Sequence, residues 1–177
     1  MTPCYRITSC WLIVLCSLVA VGQAQPTPCA DAAGFQKMDF WVGSWRVVGA
    51  GGEQAGINRI EKILNGCALL EHWTSAGGSE GKSLFYYNAA TDQWKQVWVT
   101  GNATAPGGLK EKTLIEEHAD GSLRFQGEIP VPGGGSYLDR TTLTPLPDGR
   151  VRQVIESSID DGQTWNTAFD AYYVRDA

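Results

Sequence analysis

Glu71-x-Trp73 and Trp94-x-Gln96-x-Trp98 set a carboxylate and a carboxamide two residues away from indole rings. On an extended chain residues two apart share a face, so each segment would present a polar group within an aromatic wall. That is the anatomy of a small-molecule site, an apolar lining with a few convergent polar groups. Packing the rings inward buries roughly 150–250 Å² for each and carries Glu71 and Gln96 inside with them. Arg140, Thr142 and Thr144 form a further polar line, Arg152, Glu156 and Ser158 another, and Asp170 with Tyr172 faces them near the end of the chain. A buried carboxylate without a partner is too costly to persist, so inward Glu71 and Glu156 require Arg140 or Arg152 beside one of them. The candidate ligand-binding residues are therefore Glu71, Trp73, Tyr87, Gln96, Trp98, Arg140 and Glu156, with Trp73 and Trp98 as walls and Arg140 as a polar anchor.

The same carboxylates admit a second chemistry. A desolvated carboxyl group acquires a raised pKa and can act as a general acid or base, which suits an isomerase- or lyase-like reaction. Glu71 and His72 make a poor pair because neighbours on a strand point to opposite faces, whereas Glu156 and Asp170 lie close if the last two strands pair about Asp161-Gly162. A third reading is a filled, hydrogen-bonded interior that binds nothing. Other chemistries lack their residues. Two isolated histidines, His72 and His118, are too few for zinc. The Gly77-x-Ser79-x-Gly81 spacing leads into a strand and not into the helix that a nucleophile elbow requires, and Gly107-Gly108 and Gly133-Gly134-Gly135 lack the lysine and helix of a phosphate-cradling loop. No catalytic residue, metal or cofactor is assigned.

The elements that would position these residues are short alternating segments punctuated by Gly, Asp, Asn and Pro, with no stretch of helical period. Strands are expected over Trp45 to Gly49, Gly56 to Leu64, Ala68 to Ser75, Lys82 to Tyr87 and Gln93 to Thr100. The second half continues with Leu109 to His118, Ser122 to Ile129, Ser136 to Pro145, Arg150 to Ser158 and Trp165 to Arg175. Asn65-Gly66, Asp120-Gly121 and Asp148-Gly149 are hairpin dipeptides. Ser158-Ile159-Asp160-Asp161-Gly162-Gln163-Thr164-Trp165 matches the Asp-box turn, in which the aspartate accepts backbone N–H groups and the tryptophan folds back over the hairpin. Phe35 to Val42 has room for a turn or two of helix, burying Phe40 and Trp41 as a plug. Short loops without helical crossovers make an up-and-down meander the economical topology, and closure removes the exposed edges of a sheet this large. The fold class is all-β, a single antiparallel meander closed into a roughly ten-stranded, lipocalin-like barrel; a two-sheet sandwich is the competing arrangement. A barrel of that size is wider than the roughly eight-stranded one that side chains just fill, which favours a cavity.

Asp39-Phe40-Trp41-Val42-Gly43-Ser44-Trp45, Gly66-Cys67, Glu71-x-Trp73, Trp94-x-Gln96-x-Trp98 and Asp148-Gly149-Arg150-Val151-Arg152-Gln153 together resemble a family of bacterial exported, lipocalin-like β-barrel proteins of unknown function. The resemblance spans nearly the whole chain after its first residues. It implies a ten-stranded calycin-type barrel and no particular activity. A more distant similarity is to the haem-binding nitrobindins, which open with a short helix and a Gly-x-Trp strand. They use a histidine on a late strand as axial ligand; this chain has Tyr172 and Tyr173 there, so the resemblance implies no haem.

The chain opens with Arg6, an apolar run from Cys10 to Val21, and Gly22-Gln23-Ala24. A charged start, a run shorter than a bilayer needs and a small-x-small end make residues 1–24 a signal peptide. An arm over 25–34 and a barrel domain over 35–177 follow, exported to a periplasmic or secreted location. Cys4, Cys10 and Cys16 leave with the leader, so Cys29 and Cys67 remain as an expected disulfide in an oxidising compartment. Losing Arg6 and no acid moves the formal charge from −5 to −6. An acidic, dispersed surface excludes nucleic acid and anionic membrane as partners; the partner expected is a small hydrophobic or amphipathic molecule. Cleavage after Ala24 makes Gln25 the mature N-terminus, and the intact mass of protein recovered from its host's exported fraction checks this. A mass retaining residues 1–24 refutes it.

Overall fold

The computed structural model describes Cys29 and residues 32 to 175; the expected leader, and most of the expected arm, lie outside the described residues. Ten antiparallel strands close into one barrel in which every strand pairs with its sequence neighbours and β1 with β10. They are β1 (Gly43–Gly49), β2 (Gln54–Ile63), β3 (Ala68–Ser75), β4 (Glu80–Asn88), β5 (Gln93–Thr100), β6 (Leu109–Glu117), β7 (Leu123–Pro130), β8 (Ser136–Pro145), β9 (Val151–Ser158) and β10 (Asn166–Arg175). The all-β meander is thus a closed barrel, consistent with a lipocalin-like one, and the sandwich arrangement is set aside. Closure rests on pairing from Trp45 with Arg175 to Gly49 with Ala171.

Instead of a continuous turn or two of α-helix, the segment before β1 forms two single 3-10 turns, Ala33–Phe35 and Asp39–Trp41. Met38 and Trp41 are fully buried, and Phe40 packs at the edge of the same core. Trp41 meets Phe85 and Tyr173 edge-on, at 5.4 and 5.8 Å between ring centroids, and its carbonyl accepts the Trp45 indole N–H at 2.9 Å. Ile60, Leu69, Phe125, Leu143 and Val151 complete this apolar floor. The Trp94 indole N–H donates to the Gly34 carbonyl at 2.8 Å and so pins the chain entering the plug. The floor lies at the end of the barrel that carries the β2–β3, β4–β5, β6–β7 and β8–β9 turns; among the described residues no segment plugs the opposite end.

The hairpin between β9 and β10 is held as its sequence implies. Asp160 accepts from the Thr164 hydroxyl at 2.6 Å, from the Thr164 N–H at 2.9 Å and from the Ser158 hydroxyl at 2.7 Å. Those bonds, the Thr164 hydroxyl foremost, lower its pKa to about 2. The Trp165 indole N–H donates back to the Gly162 carbonyl at 3.0 Å.

Cys29 and Cys67 form a disulfide that closes 38 residues of chain and ties the segment before the plug to the start of β3. The chain-entropy model gives such a loop about 3–4 kcal/mol. Denaturant titrations of the oxidised protein and of Cys29→Ser/Cys67→Ser should differ by about that amount. A difference below about 1 kcal/mol refutes the stabilising role.

Candidate functional site

Side-chain alternation along each strand splits the barrel interior into the apolar floor and, above it, a belt of polar groups. Asn58, Glu71, Ser83, Gln96, Lys112, Asp139, Thr141 and Gln153 are all buried, contributed by β2, β3, β4, β5, β6, β8 and β9. The Ser83 hydroxyl donates to Glu71 Oε2 at 2.5 Å and accepts from Gln96 Nε2 at 3.1 Å. Asn58 Nδ2 donates to Glu71 Oε1 at 2.7 Å and to the Tyr173 hydroxyl at 3.3 Å, and that hydroxyl donates to Gln153 Oε1 at 2.7 Å. A hydrogen-bonded relay therefore runs from Gln96 through Glu71 to Gln153. Burial pushes the Glu71 carboxyl above the usual carboxylate range, against the lowering pull of Ser83, Asn58 and the Lys112 charge. Burial likewise raises the Tyr173 phenol well above its ordinary value, and the Glu71 charge adds to the rise.

A second cluster adjoins it. The Lys112 ammonium pairs with Asp139 Oδ1 and donates to Thr141 Oγ1 at 2.5 Å, while Lys110 Nζ reaches Asp139 Oδ2 at 2.5 Å. Desolvation lowers the Lys112 pKa to about 8, against the opposing pull of Asp139.

Above and beside the belt is a cavity of about 350 Å³. Its apolar walls are Ala55, Trp73, Trp98, Ile155 and Phe169, and its polar lining includes Glu71, Gln96, Lys110, Lys112, Gln153 and Tyr173. Trp73 and Trp98 also line an outer hollow of about 600 Å³ between the β3–β4 and β5–β6 loops, so the two indoles stand between vestibule and cavity. Glycines make their positions available. A Cβ on Gly81 would come within 2.2 Å of the Trp98 ring, and one on Gly56 within 2.7 Å of the Trp73 ring and 2.3 Å of the Thr74 carbonyl. Each indole thus reaches over a neighbouring strand's glycine, in space that a Cβ would take.

Of the sequence-derived candidates, the structure brings Glu71, Trp73, Gln96 and Trp98 together at this cavity. Arg140 and Glu156 are placed elsewhere. They form a cross-strand pair in register, with Arg140 Nε 2.7 Å from Glu156 Oε2, on the outer face of β8 and β9, where the guanidinium stacks on Trp165 at 3.8 Å. The expected cation beside Glu71 is Lys112 and not an arginine. Tyr87 packs at the plugged end, edge-on to Phe35 at 4.9 Å, with its hydroxyl donating to Asp92 at 2.6 Å. Glu156 and Asp170 do not form an acid–base pair either. Asp170 is bound by Arg152 at 2.6 Å on the outer face, and the arginine hydrogen bonds hold both carboxyls below their ordinary pKa. Lys110, Lys112, Asp139 and Gln153 escaped the sequence reading. The Lys-x-Lys of a strand whose other face carries Leu109 and Ile115 was the available signal, and it points inward only if leucine and isoleucine face out.

Among the described residues no group of three or more His, Cys, Asp or Glu side chains is placed to hold a metal ion, and no helix is long and apolar enough to cross a membrane. Comparison with protein-family models and with curated proteins finds no match.

Glu71 generates a test of the relay. Its folded pKa is raised, so its contribution to stability is fully present below about pH 4.5 and is lost as pH rises through the folded value. In Glu71→Gln the new amide donates to Ser83, whose hydroxyl turns to the Gln96 oxygen, and the titration disappears. Thermal melts should show the variant gaining on the wild type as pH rises from 4 to 8. Parallel curves across that range refute a buried, raised carboxyl.

Proposed function

We propose that this barrel binds a small apolar or amphipathic molecule in the cavity bounded by Trp73 and Trp98. The observation that carries the reading is the unfilled space itself. About 350 Å³ remains within an interior whose other end is packed to full burial, and a cavity of that size lies within the range of small-ligand sites. The indoles, Ile155 and Phe169 supply the apolar contacts, and the polar belt fixes orientation. A closed barrel has no strand edges, so the pocket sits on paired strands with the β3–β4 and β5–β6 loops at its mouth. The disulfide supports an exported setting, in which the expected leader would be removed.

A buried acid–base reaction is the second reading, and Glu71 is the group that favours it, since its carboxyl is raised by desolvation and lines the cavity. Both of its oxygens are already engaged by Ser83 and Asn58, which suits a structural relay better than proton transfer to a substrate.

Native mass spectrometry of protein purified from its own host, with calorimetric titration of decanol, tests the binding reading. Ile155→Trp adds a ring to the cavity and should weaken decanol binding at least tenfold while the melting temperature moves by only a few degrees. A wild-type chain that neither retains a molecule nor binds decanol overturns the proposal.

A further inference from the structure

We infer that the cavity selects an amphiphile with an acidic head, a carboxylate or similar oxyanion, seated against Lys110 and Lys112 with its apolar part between Trp73 and Trp98. This inference rests on the cavity-binding reading above and adds the chemical class of the ligand.

The argument begins with charge. Two ammonium groups, Lys110 and Lys112, share the single carboxylate of Asp139. Glu71 is the acid among the residues lining the cavity, and its two oxygens are spent on Ser83 and Asn58. Burial pushes its carboxyl toward the neutral form. Two ammonium groups are thus in contact with one carboxylate, and a desolvated cation that must share its counter-charge is costly. A ligand oxyanion supplies a second counter-charge through charge-assisted hydrogen bonds.

The donors are also available. An ammonium has three N–H donors. Lys112 directs two at Asp139 and Thr141, and Lys110 directs one at Asp139. Directly across the sheet from Lys112 stands Gln96, which is 5% exposed. Its carboxamide oxygen is buried and receives no hydrogen bond, although its nitrogen is committed to Ser83. That oxygen is an acceptor, to be filled by a donor such as the third N–H of Lys112, so the contacts to an oxyanion come from the remaining N–H groups of Lys110. Access fits as well, since the Lys110 side chain is 17% exposed against 3% for Lys112, which sets Lys110 as the outer contact of the pair.

The titratable groups acting on Lys112 are Asp139 from β8, Glu71 from β3 and Lys110 on its own strand. Tyr137 of β8, which acts with Lys110 and Asp139, and Tyr173 of β10, which acts with Glu71, both have raised pKa values and stay neutral in the working range. As pH rises through about 8 the Lys112 ammonium loses its proton and Glu71 becomes more ionised, and both changes oppose an anionic head.

Calorimetric titration of the full mature chain with decanoate, decanol and decyltrimethylammonium, which share one apolar body, decides the matter. Decanoate should bind at least tenfold more tightly than decanol at pH 6.5 and the quaternary ammonium most weakly. The decanoate-to-decanol ratio should fall as pH is raised to 9. Lys110→Gln should lower that ratio at least fivefold, and Asp139→Asn, which removes the competing carboxylate, should raise it. The two variants move in opposite directions, so a folding defect in one leaves the other as the test. Decanol binding as tightly as decanoate overturns the head-group inference while leaving the cavity reading intact. A decanoate preference that neither variant alters overturns the assignment to the lysine pair, and failure of all three compounds to bind overturns both readings.

Discussion

Circumference is the constraint on which the rest of this structure depends. Ten strands hydrogen-bonded into a closed ring enclose more space than their inward side chains fill, and the chain answers that excess differently at its two ends. At one end Met38 and Trp41 enter as a plug, giving the floor residues partners on every side and leaving Met38, Trp41, Phe85 and Phe125 at 0–1% exposure. At the other end no segment among the described residues enters, and the glycines at positions 56 and 81 leave room for the indoles of Trp73 and Trp98. The same closed ring thus yields a dry core below and an open chamber above.

Between the two lies the polar belt, which is where the energetics become delicate. Burying Glu71, Lys112 and Asp139 is tolerable only because the relay and the ion cluster satisfy nearly all their donors and acceptors. Two carboxamide oxygens of the belt, those of Asn58 and Gln96, are buried without a donor, as the Trp41 indole N–H in the floor is without an acceptor; of these residues only Gln96 lines the chamber. The outer faces carry their own ion pairs, Arg140 with Glu156 and Arg152 with Asp170, and these are partly solvated, so each contributes little to stability.

The reading of faces from sequence succeeded where aromatic rings marked one parity. On β3 and β5, Trp73, Trp94 and Trp98 forced the inward choice and carried Glu71 and Gln96 with them. It failed on β8 and β9, because complementary charges identify neighbours without identifying a side. Arg140 and Glu156 do meet, in register, but on the outside, while Asp139, Thr141 and Gln153 point in. β6 exposes Leu109 and Ile115 at 49% and 48% and turns Lys110 and Lys112 to the lumen, while Leu114, at the same parity as the lysines, packs against the core. Apolar residues stand at both parities of this strand, so alternation alone does not choose its inner face.

What the sequence determined by itself was local and periodic. Strand positions followed from alternation and from the glycine- and asparagine-bearing turns, the Asp-box hairpin followed from side-chain hydrogen bonds within a few residues, and the disulfide followed from the only cysteines left after the expected leader. What only the tertiary structure decided was which partner each buried charge would take. That choice depends on residues brought together around the ring, Lys112 with Asp139 and Glu71 with Asn58 and Ser83, whose separations along the chain carry no periodic trace. Closure sets those neighbours, and so the polar character of the chamber is a property of the barrel and not of any one strand.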